Sequence, residues 1–188
     1  MSVPRTIRRV VLTGFMGAGK STVGAMLAKT LGWEFLDADT AIEAVAGKTV
    51  AEIFAQHGEE AFRSLEAEAV LKNMLRGNLV LALGGGALET ESTRRILASA
   101  AQTCVIFLDA PLDVLVERCL AQPYAAERPV LADRDGLLRR FNSRLPHYRS
   151  AQHTISTKGL SPEAVVARIL DVLAGGCISD SATKGATV

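Results

Sequence analysis

The chain is poor in several features on which common kinds of protein function depend. Its 188 residues carry 21 lysines and arginines against 20 aspartates and glutamates, so it lacks the basic excess typical of a broad nucleic-acid surface. Its three cysteines form no C-x-x-C pair and its three histidines lack metal-ligand spacing, which excludes the usual zinc patterns. No apolar run approaches the length of a membrane span. We therefore expect neither nucleic acid nor a membrane as a partner.

The overall composition is that of an ordinary globular protein with few aromatic residues. Hydrophobic residues make up 48% of the chain, charged residues 22% and aromatic residues 5%, which favours a mostly aliphatic core. The length favours one domain. The basic N-terminus lacks the apolar stretch of a signal peptide. We expect a cytoplasmic monomer.

What the chain does contain is a glycine-rich motif close to its start. Residues 14–21 read Gly-Phe-Met-Gly-Ala-Gly-Lys-Ser, the P-loop pattern G-x-x-x-x-G-K-[ST], after the apolar run 10–12 and before a helical stretch. The glycines let the backbone point its N–H groups at phosphate oxygens. Lys20 adds positive charge at the β- and γ-phosphates, and the Ser21 hydroxyl can bind Mg²⁺. The motif predicts a site for a nucleoside triphosphate.

Strands and helices alternate along the chain, which predicts an α/β fold with a parallel sheet and helices on both faces. The expected strands are 9–13, 34–36, 79–83, 103–108 and 153–155. A capping box at Thr49 and Glu52, and the pair Ser161-Pro162, predict the starts of two helices. We expect a single domain over residues 1–176, followed by a disordered tail at 177–188.

Two further motifs follow expected strands, where ligands of open α/β sheets bind. Asp37 and Asp39 follow the second strand, and they can serve a metal and an acceptor hydroxyl or, alternatively, cap a helix. Gly84, Gly85 and Gly86 follow the third strand. Three glycines are entropically costly, which is explained if a ligand approaches the backbone closely, although a simple turn is the alternative.

Three arginines are candidates for contacts with an anionic ligand. Arg63 has Glu59 four residues before it and Glu66 three after it, so a surface ion pair is an alternative. Arg128 lies in a polar, proline-bounded stretch, and an arginine on a mobile loop can offset charge that develops during phosphoryl transfer. Arg144 precedes Leu-Pro-His-Tyr. Each of the three can also be an ordinary solvated side chain.

Together these motifs resemble the shikimate kinase family. The resemblance rests on the P-loop with its Phe-Met pair, Asp-Ala-Asp at 37–39, the segment 51–66, the triple glycine, Arg128-Pro129, and Arg144, Pro146 and Tyr148 as R-x-P-x-Y. It runs from about residue 10 to residue 173. It implies a three-layer α/β/α P-loop kinase fold, with a five-stranded parallel sheet in the order 2-3-1-4-5 and a mobile lid at about 122–132.

The same resemblance implies a reaction and a set of site residues. ATP would phosphorylate the 3-hydroxyl of shikimate, giving shikimate 3-phosphate and ADP, a step of chorismate and aromatic amino acid biosynthesis. ATP would contact Gly17, Ala18, Gly19, Lys20, Ser21, Thr22 and Arg128. Shikimate would contact Asp39, Arg63, Gly84, Gly85, Gly86 and Arg144. Mg²⁺ would bind Ser21 directly and Asp37 through water. Lys20, Asp39 and Arg128 would be the catalytic residues.

The segment before the lid departs from the family pattern. Family members often carry a further arginine there, against the adenine, whereas this chain reads Leu-Ala-Gln at 120–122 and has Arg118 as the nearest basic residue. The resemblance also places the segment 157–160 at the adenine. The adenine contacts are therefore not assigned from the sequence.

Two other functions are compatible with a P-loop. One is a kinase of the same fold that acts on another small hydroxyl compound, such as gluconate, which would not need a carboxylate clamp of arginines. The other is a non-catalytic ligand-sensing domain derived from a kinase, which would usually have lost metal or acceptor residues. This chain keeps Lys20, Ser21, Asp37 and Asp39.

Overall fold

Five parallel strands form one sheet in the order β2-β3-β1-β4-β5 in a computed structural model of the chain, which describes residues 7–121 and 133–175. The strands are β1 Arg9–Thr13, β2 Glu34–Asp37, β3 Leu79–Ala82, β4 Thr103–Asp109 and β5 His153–Ser156. Each predicted strand is present and its ends agree within one residue. The order of the strands is the one that the resemblance implied, so this prediction is confirmed.

Helices cover both faces of the sheet. Within the described ranges they are α1 Lys20–Leu31, α2 Ala38–Ala46, α3 Val50–Asn73, α4 Glu91–Ser99, α5 Leu112–Leu120, α6 Arg134–Tyr148 and α7 Pro162–Ala174, with a 3₁₀ helix at Ala87–Glu89. The chain steps from β1 outward to β2 and then back across the sheet. Right-handed crossovers therefore place α1 on one face and the later crossover helices on the other, which gives the predicted three layers. Helix α7 contacts α1.

The core between these layers is aliphatic. Val10, Val11 and Leu12 of β1 have no solvent exposure, as expected for a central parallel strand that is covered on both faces. A second, smaller cluster of Ile42, Ile53 and Phe62 joins α2 to α3. This cluster packs the part of α3 that carries Phe62, the residue before Arg63, against α2.

Side-chain caps fix the predicted helix starts. The Thr49 hydroxyl accepts the N–H of Glu52 at 3.2 Å, and the Glu52 carboxylate accepts the N–H of Thr49 at 2.7 Å, so the predicted capping box is confirmed. Ser161 caps α7 as predicted. Helix α3 is broken at Gly58, whose φ of 80° and ψ of 174° are not helical. This break was not predicted from the sequence.

The carboxyl ends of three neighbouring strands bring the sequence motifs to one edge of the sheet. Gly14 directly follows β1, Asp37 ends β2, and Gly84 lies two residues beyond β3. This is the edge at which ligands bind in open α/β sheets. The P-loop, the aspartate pair and the triple glycine therefore belong to one site.

Several predictions are not tested by the part of the chain that the structure describes. The expected lid at 122–132, with Arg128, and the expected tail at 177–188 lie outside the described residues. The assignment of residues 1–176 to a single domain stays a prediction. Among the residues that the structure does describe, no helix is both long and apolar enough to cross a membrane.

Candidate active site

The P-loop glycines have backbone angles that other residues rarely adopt. Gly14, Gly17 and Gly19 have φ of 143°, 77° and 89°. At Gly17, a β-carbon would also lie 2.4 Å from the carbonyl oxygen of Leu115. Gly19 precedes α1 without a side-chain cap, so the first N–H groups of the helix point into the loop. Such a helix start binds phosphate well.

Lys20 lies against the carbonyl oxygens of its own loop. Its Nζ donates to the carbonyls of Gly14 at 2.8 Å and Phe15 at 3.1 Å. Burial lowers the pKa of Lys20 to about 8, while Asp39 and Asp37 act in the opposite direction. Carbonyl groups of the loop therefore hold the ammonium at a place where phosphate oxygens of a bound nucleotide could replace them.

Asp37 connects the P-loop to the aspartate pair. Its Oδ2 accepts a hydrogen bond from Ser21 Oγ at 2.6 Å, and its Oδ1 accepts the N–H of Asp39 at 3.1 Å. The second bond caps α2. Asp37 thus serves as a helix cap, one of the two alternatives, while it also faces the hydroxyl expected at the metal.

Asp39 lies half-buried in the first turn of α2. Burial raises its pKa, Asp37 raises it further, and Lys20 lowers it. A β-carbon at Gly84 would come within 2.7 Å of Asp39 Oδ1 and 2.6 Å of Glu66 Oε1. Gly84 therefore leaves the space into which both carboxyl groups project.

Arg63 lies over the last glycine of the turn. Its Nη1 donates to Glu66 at 2.7 Å and its Nη2 to Glu59 at 3.1 Å, so the local ion pairs considered as an alternative are present. The side chain is nevertheless only 14% exposed. A β-carbon at Gly86 would lie 2.1 Å from Arg63 Nη2, so the guanidinium occupies the space that glycine leaves open. Glu66 is fully buried and its Oε1 has no hydrogen-bond partner among the described residues.

Helix α6 brings Arg144 and Tyr148 to the same turn. The Tyr148 hydroxyl donates to the carbonyl of Gly85, and its ring stacks on Phe107 with 5.3 Å between centroids. Burial raises the pKa of Tyr148, which keeps the hydroxyl protonated as a donor. One helical turn earlier, Arg144 Nε donates to Glu89 Oε2 at 2.9 Å, and Arg144 Nη2 forms an ion pair with the same oxygen at 2.7 Å.

Phe15 joins the P-loop to α6. Its ring packs edge-on against Phe141, with 5.3 Å between centroids, and the Arg144 guanidinium lies 6.0 Å from the ring centre. Phe15 itself is 1% exposed. The phenylalanine of the Phe-Met pair therefore packs between the P-loop and Arg144.

A single cavity of about 910 Å³ connects the P-loop, both aspartates and Arg144. At its other end Arg118 donates to Thr157, to Oγ1 at 2.9 Å and to the carbonyl at 2.7 Å. Arg118 and the segment 157–160 therefore lie side by side along the cavity, a pairing that the sequence did not assign.

The structure brings all predicted site residues within the described ranges to this one edge of the sheet. Sequence reasoning missed Glu89, because it belongs to none of the motifs. The sequence feature that could have pointed to Glu89 is its position three residues after the triple glycine. Tyr148 was noted as part of a motif, but its bond to the glycine turn was not predicted.

Comparison with known proteins identifies the family. The family model described as "Shikimate kinase" matches residues 16–174. The chain belongs to the shikimate kinase family. It is 42% identical to the shikimate kinase of Brucella canis over 168 residues, which are 88% of this chain and 82% of that protein. It is 40% identical to that of Persephonella marina over 166 residues, which are 87% of this chain and 98% of that protein.

A solved structure agrees with this assignment. The shikimate kinase from Acinetobacter baumannii in complex with shikimate superposes with a TM-score of 0.82 at 34% identity, over 93% of this chain and 97% of that chain. The predicted family, fold and enzyme class are confirmed: the chain is a transferase that phosphorylates shikimate with ATP as co-substrate. The two alternative functions are not supported.

The contact between Gly86 and Arg63 leads to a first prediction. Gly86→Ala should displace the guanidinium and raise the KM for shikimate roughly tenfold, about 1.4 kcal/mol, with little change in the KM for ATP. Steady-state kinetics with each substrate varied checks this. Gly175→Ala at the end of α7 is the matched control, because an added β-carbon there would lie 3.6 Å from its nearest neighbours. Equal effects of the two variants would contradict the prediction.

The lowered pKa of Lys20 predicts pH-dependent nucleotide binding. The free protein loses the ammonium charge as the pH rises through about 8, whereas bound phosphates would favour the charged form and raise the pKa. The complex then binds more protons than the free protein, so the Kd should increase above pH 8 by up to about tenfold per pH unit.

Calorimetric titration with a non-hydrolysable ATP analogue between pH 7 and 9.5 measures this dependence. Lys20→Met should bind more weakly and show a nearly constant Kd over the same range. A constant Kd in the parent protein would rule out Lys20 as the titrating phosphate ligand.

Proposed function

We propose that phosphoryl transfer takes place in the cavity at the carboxyl ends of β1, β2 and β3, with ATP on the P-loop and shikimate over the glycine turn. One observation carries this arrangement. Arg63 and Arg144 come from different helices and converge on the carboxylate of Glu89 beside the turn. Their Nη2 atoms lie 3.5 Å and 2.7 Å from Glu89 Oε2. A pair of guanidinium groups that binds one carboxylate is suited to bind the carboxylate of shikimate.

The nucleotide end of the cavity is formed by the P-loop and the start of α1. The N–H groups from Gly17 to Thr22 bind phosphate oxygens, aided by the positive end of the helix. Lys20 exchanges its carbonyl acceptors for the β- and γ-phosphates. The adenine lies between Arg118 and the segment 157–160, which the hydrogen bonds of Arg118 to Thr157 hold together.

The donors between the two substrates fit Mg²⁺. Ser21 Oγ and Asp37 Oδ2, 2.6 Å apart, offer the hydroxyl and carboxylate oxygens that this cation prefers. In the described ranges no group of three or more His, Cys, Asp or Glu residues forms a metal cage. This fits an ion that takes its other ligands from water and phosphates, with Ser21 as direct ligand and Asp37 acting through water. Bound there, Mg²⁺ would neutralise phosphate charge.

Asp39 orients the acceptor hydroxyl and takes its proton. Burial raises the pKa of Asp39, which makes this carboxylate a stronger base than an exposed aspartate. Gly84 and Gly86 leave room for Asp39 and Arg63 at the turn, and the N–H groups of Gly85 and Gly86 face the acceptor. In this proposal Arg128, which lies outside the described residues, contacts the transferred phosphate. The site thus supplies positioning and charge stabilisation, the main requirements of phosphoryl transfer.

We further propose that the protein works as a cytoplasmic monomer with small molecules as its substrates. Its formal net charge of +1 supports the absence of a nucleic-acid partner. The single family match over residues 16–174 supports one domain within residues 1–176.

A coupled ADP-release assay tests the acceptor and its clamp together. Release should depend on shikimate and should not occur with gluconate or quinate. Arg144→Ala should raise the KM for shikimate roughly 10- to 100-fold, since a hydrogen bond to a charged group contributes about 1.5–3 kcal/mol. The KM for ATP should change little. Arg95→Ala removes an exposed arginine that pairs with Glu91, and serves as the control. An equal increase in the KM values for shikimate and for ATP in Arg144→Ala would exclude the clamp.

Asp39→Asn tests the proton acceptor. The substitution keeps the shape of the side chain but removes its basicity, so kcat should fall about 10²- to 10⁴-fold while shikimate still binds. Single-turnover kinetics and equilibrium binding measure the two quantities. Asp37→Asn is the comparison, because its loss of activity should be partly restored by raised Mg²⁺, whereas that of Asp39→Asn should not. A kcat near the parent value would show that Asp39 is not the base.

A further inference from the structure

A carboxylate of the chain itself already contacts the two arginines of the proposed acceptor site. Glu89 ends the 3₁₀ helix that follows the glycine turn. Its Oε2 accepts a hydrogen bond from Arg144 Nε at 2.9 Å, forms an ion pair with Arg144 Nη2 at 2.7 Å, and lies 3.5 Å from Arg63 Nη2. The two arginine side chains are only 12% and 14% exposed. Glu89 therefore makes the contacts that the proposed function assigns to the carboxylate of shikimate.

The charges around the two arginines leave little scope for a further anion. Arg63 also donates to Glu66 and Glu59, so two guanidinium groups face three carboxyl groups. A bound acceptor would add a fourth. Like charges that are close together and poorly solvated repel strongly, so one of the resident groups has to give way to the acceptor.

Glu89 is the group that is placed to do so. Glu66 is fully buried beneath Arg63, and Glu59 pairs with Arg63 rather than Arg144 among the described residues, so moving either one frees no donor of Arg144. Glu89 occupies the edge of Arg144 formed by Nε and Nη2, the edge that can bind a carboxylate with two parallel hydrogen bonds. With 34% of its side chain exposed, Glu89 can turn toward solvent.

We propose that Glu89 is an internal competitor for the carboxylate of the acceptor. It holds Arg63 and Arg144 together in the free protein, and the acceptor displaces it on binding, so that its charge sets the affinity for the acceptor. This inference rests on the proposed function, because it takes the two arginines as the carboxylate clamp. It also makes Glu89 a specificity determinant, since a neutral polyol has no group to replace it on the arginines.

Glu89→Gln tests the proposal, since it removes the charge and keeps the size of the side chain. Calorimetric titration with shikimate should give a Kd roughly five- to tenfold lower than that of the parent protein, while the Kd of a non-hydrolysable ATP analogue stays the same. Glu91→Gln is the matched control. It removes the same charge two residues away, where Glu91 pairs with Arg95 on the surface at 2.6 Å, and it should leave the Kd for shikimate unchanged.

The increase in Tm on adding saturating shikimate provides a second measurement. It should be larger for Glu89→Gln than for the parent protein, even if the variant without ligand is less stable. A Kd for shikimate that is equal to or higher than the parent value, with no larger increase in Tm, would overturn the proposal.

Arg144→Ala distinguishes this failure from failure of the proposed function. If Arg144→Ala does not weaken shikimate binding, the arginine clamp is wrong, and the proposed function and the competitor role are both overturned. If Arg144→Ala weakens binding but Glu89→Gln does not tighten it, only the competitor role is wrong.

Discussion

Charge balance at one edge of the sheet is the constraint on which the rest of the site depends. Lys20 and Arg144 line one cavity, in which the proposed function places two anionic substrates, and Arg63 approaches Arg144 at the carboxylate of Glu89. Three cations so close together would repel one another without nearby oxygen atoms. Carbonyl groups of the P-loop hold Lys20, two glutamates hold Arg63, and Glu89 holds Arg144. Each cation of the site therefore has its own oxygen partners, and these partners differ in how readily an incoming anion can replace them.

The glycine turn after β3 leaves the space in which side chains from three helices come together. Helices α2, α3 and α6 each direct a functional side chain toward it, and the space at positions 84 and 86 is taken by Asp39, Glu66 and Arg63. The Tyr148 hydroxyl fastens α6 to the same turn through the carbonyl of Gly85. Because interiors are closely packed, an added methyl group here would have to displace a side chain of the site. The backbone of the turn is therefore the surface against which the side chains of the proposed acceptor site pack.

The sequence predicted what local patterns determine. The strands, the P-loop and the capping box at Thr49 depend on short-range composition, and the structure agrees closely with each. For Asp37, the cap and the contact with Ser21 coexist because a carboxylate has two oxygen atoms. The convergence of Arg63 and Arg144 was known only through the family resemblance, since the two arginines are far apart in the chain. Glu89 and Arg118 were not assigned because their partners are set by tertiary packing, and no motif records such contacts.

Phe15 packs between the P-loop and helix α6. Its backbone belongs to the P-loop, the proposed nucleotide site, while its ring packs against Phe141 and near Arg144, at the proposed acceptor site. A close-packed ring transmits a displacement of its backbone to the groups that it touches. The ring of Phe15 therefore offers an apolar contact, which salt does not screen, through which occupancy of one end would affect the other. Thermodynamic linkage makes such an effect reciprocal: if nucleotide changes the affinity for the acceptor, the acceptor changes the affinity for nucleotide by the same factor.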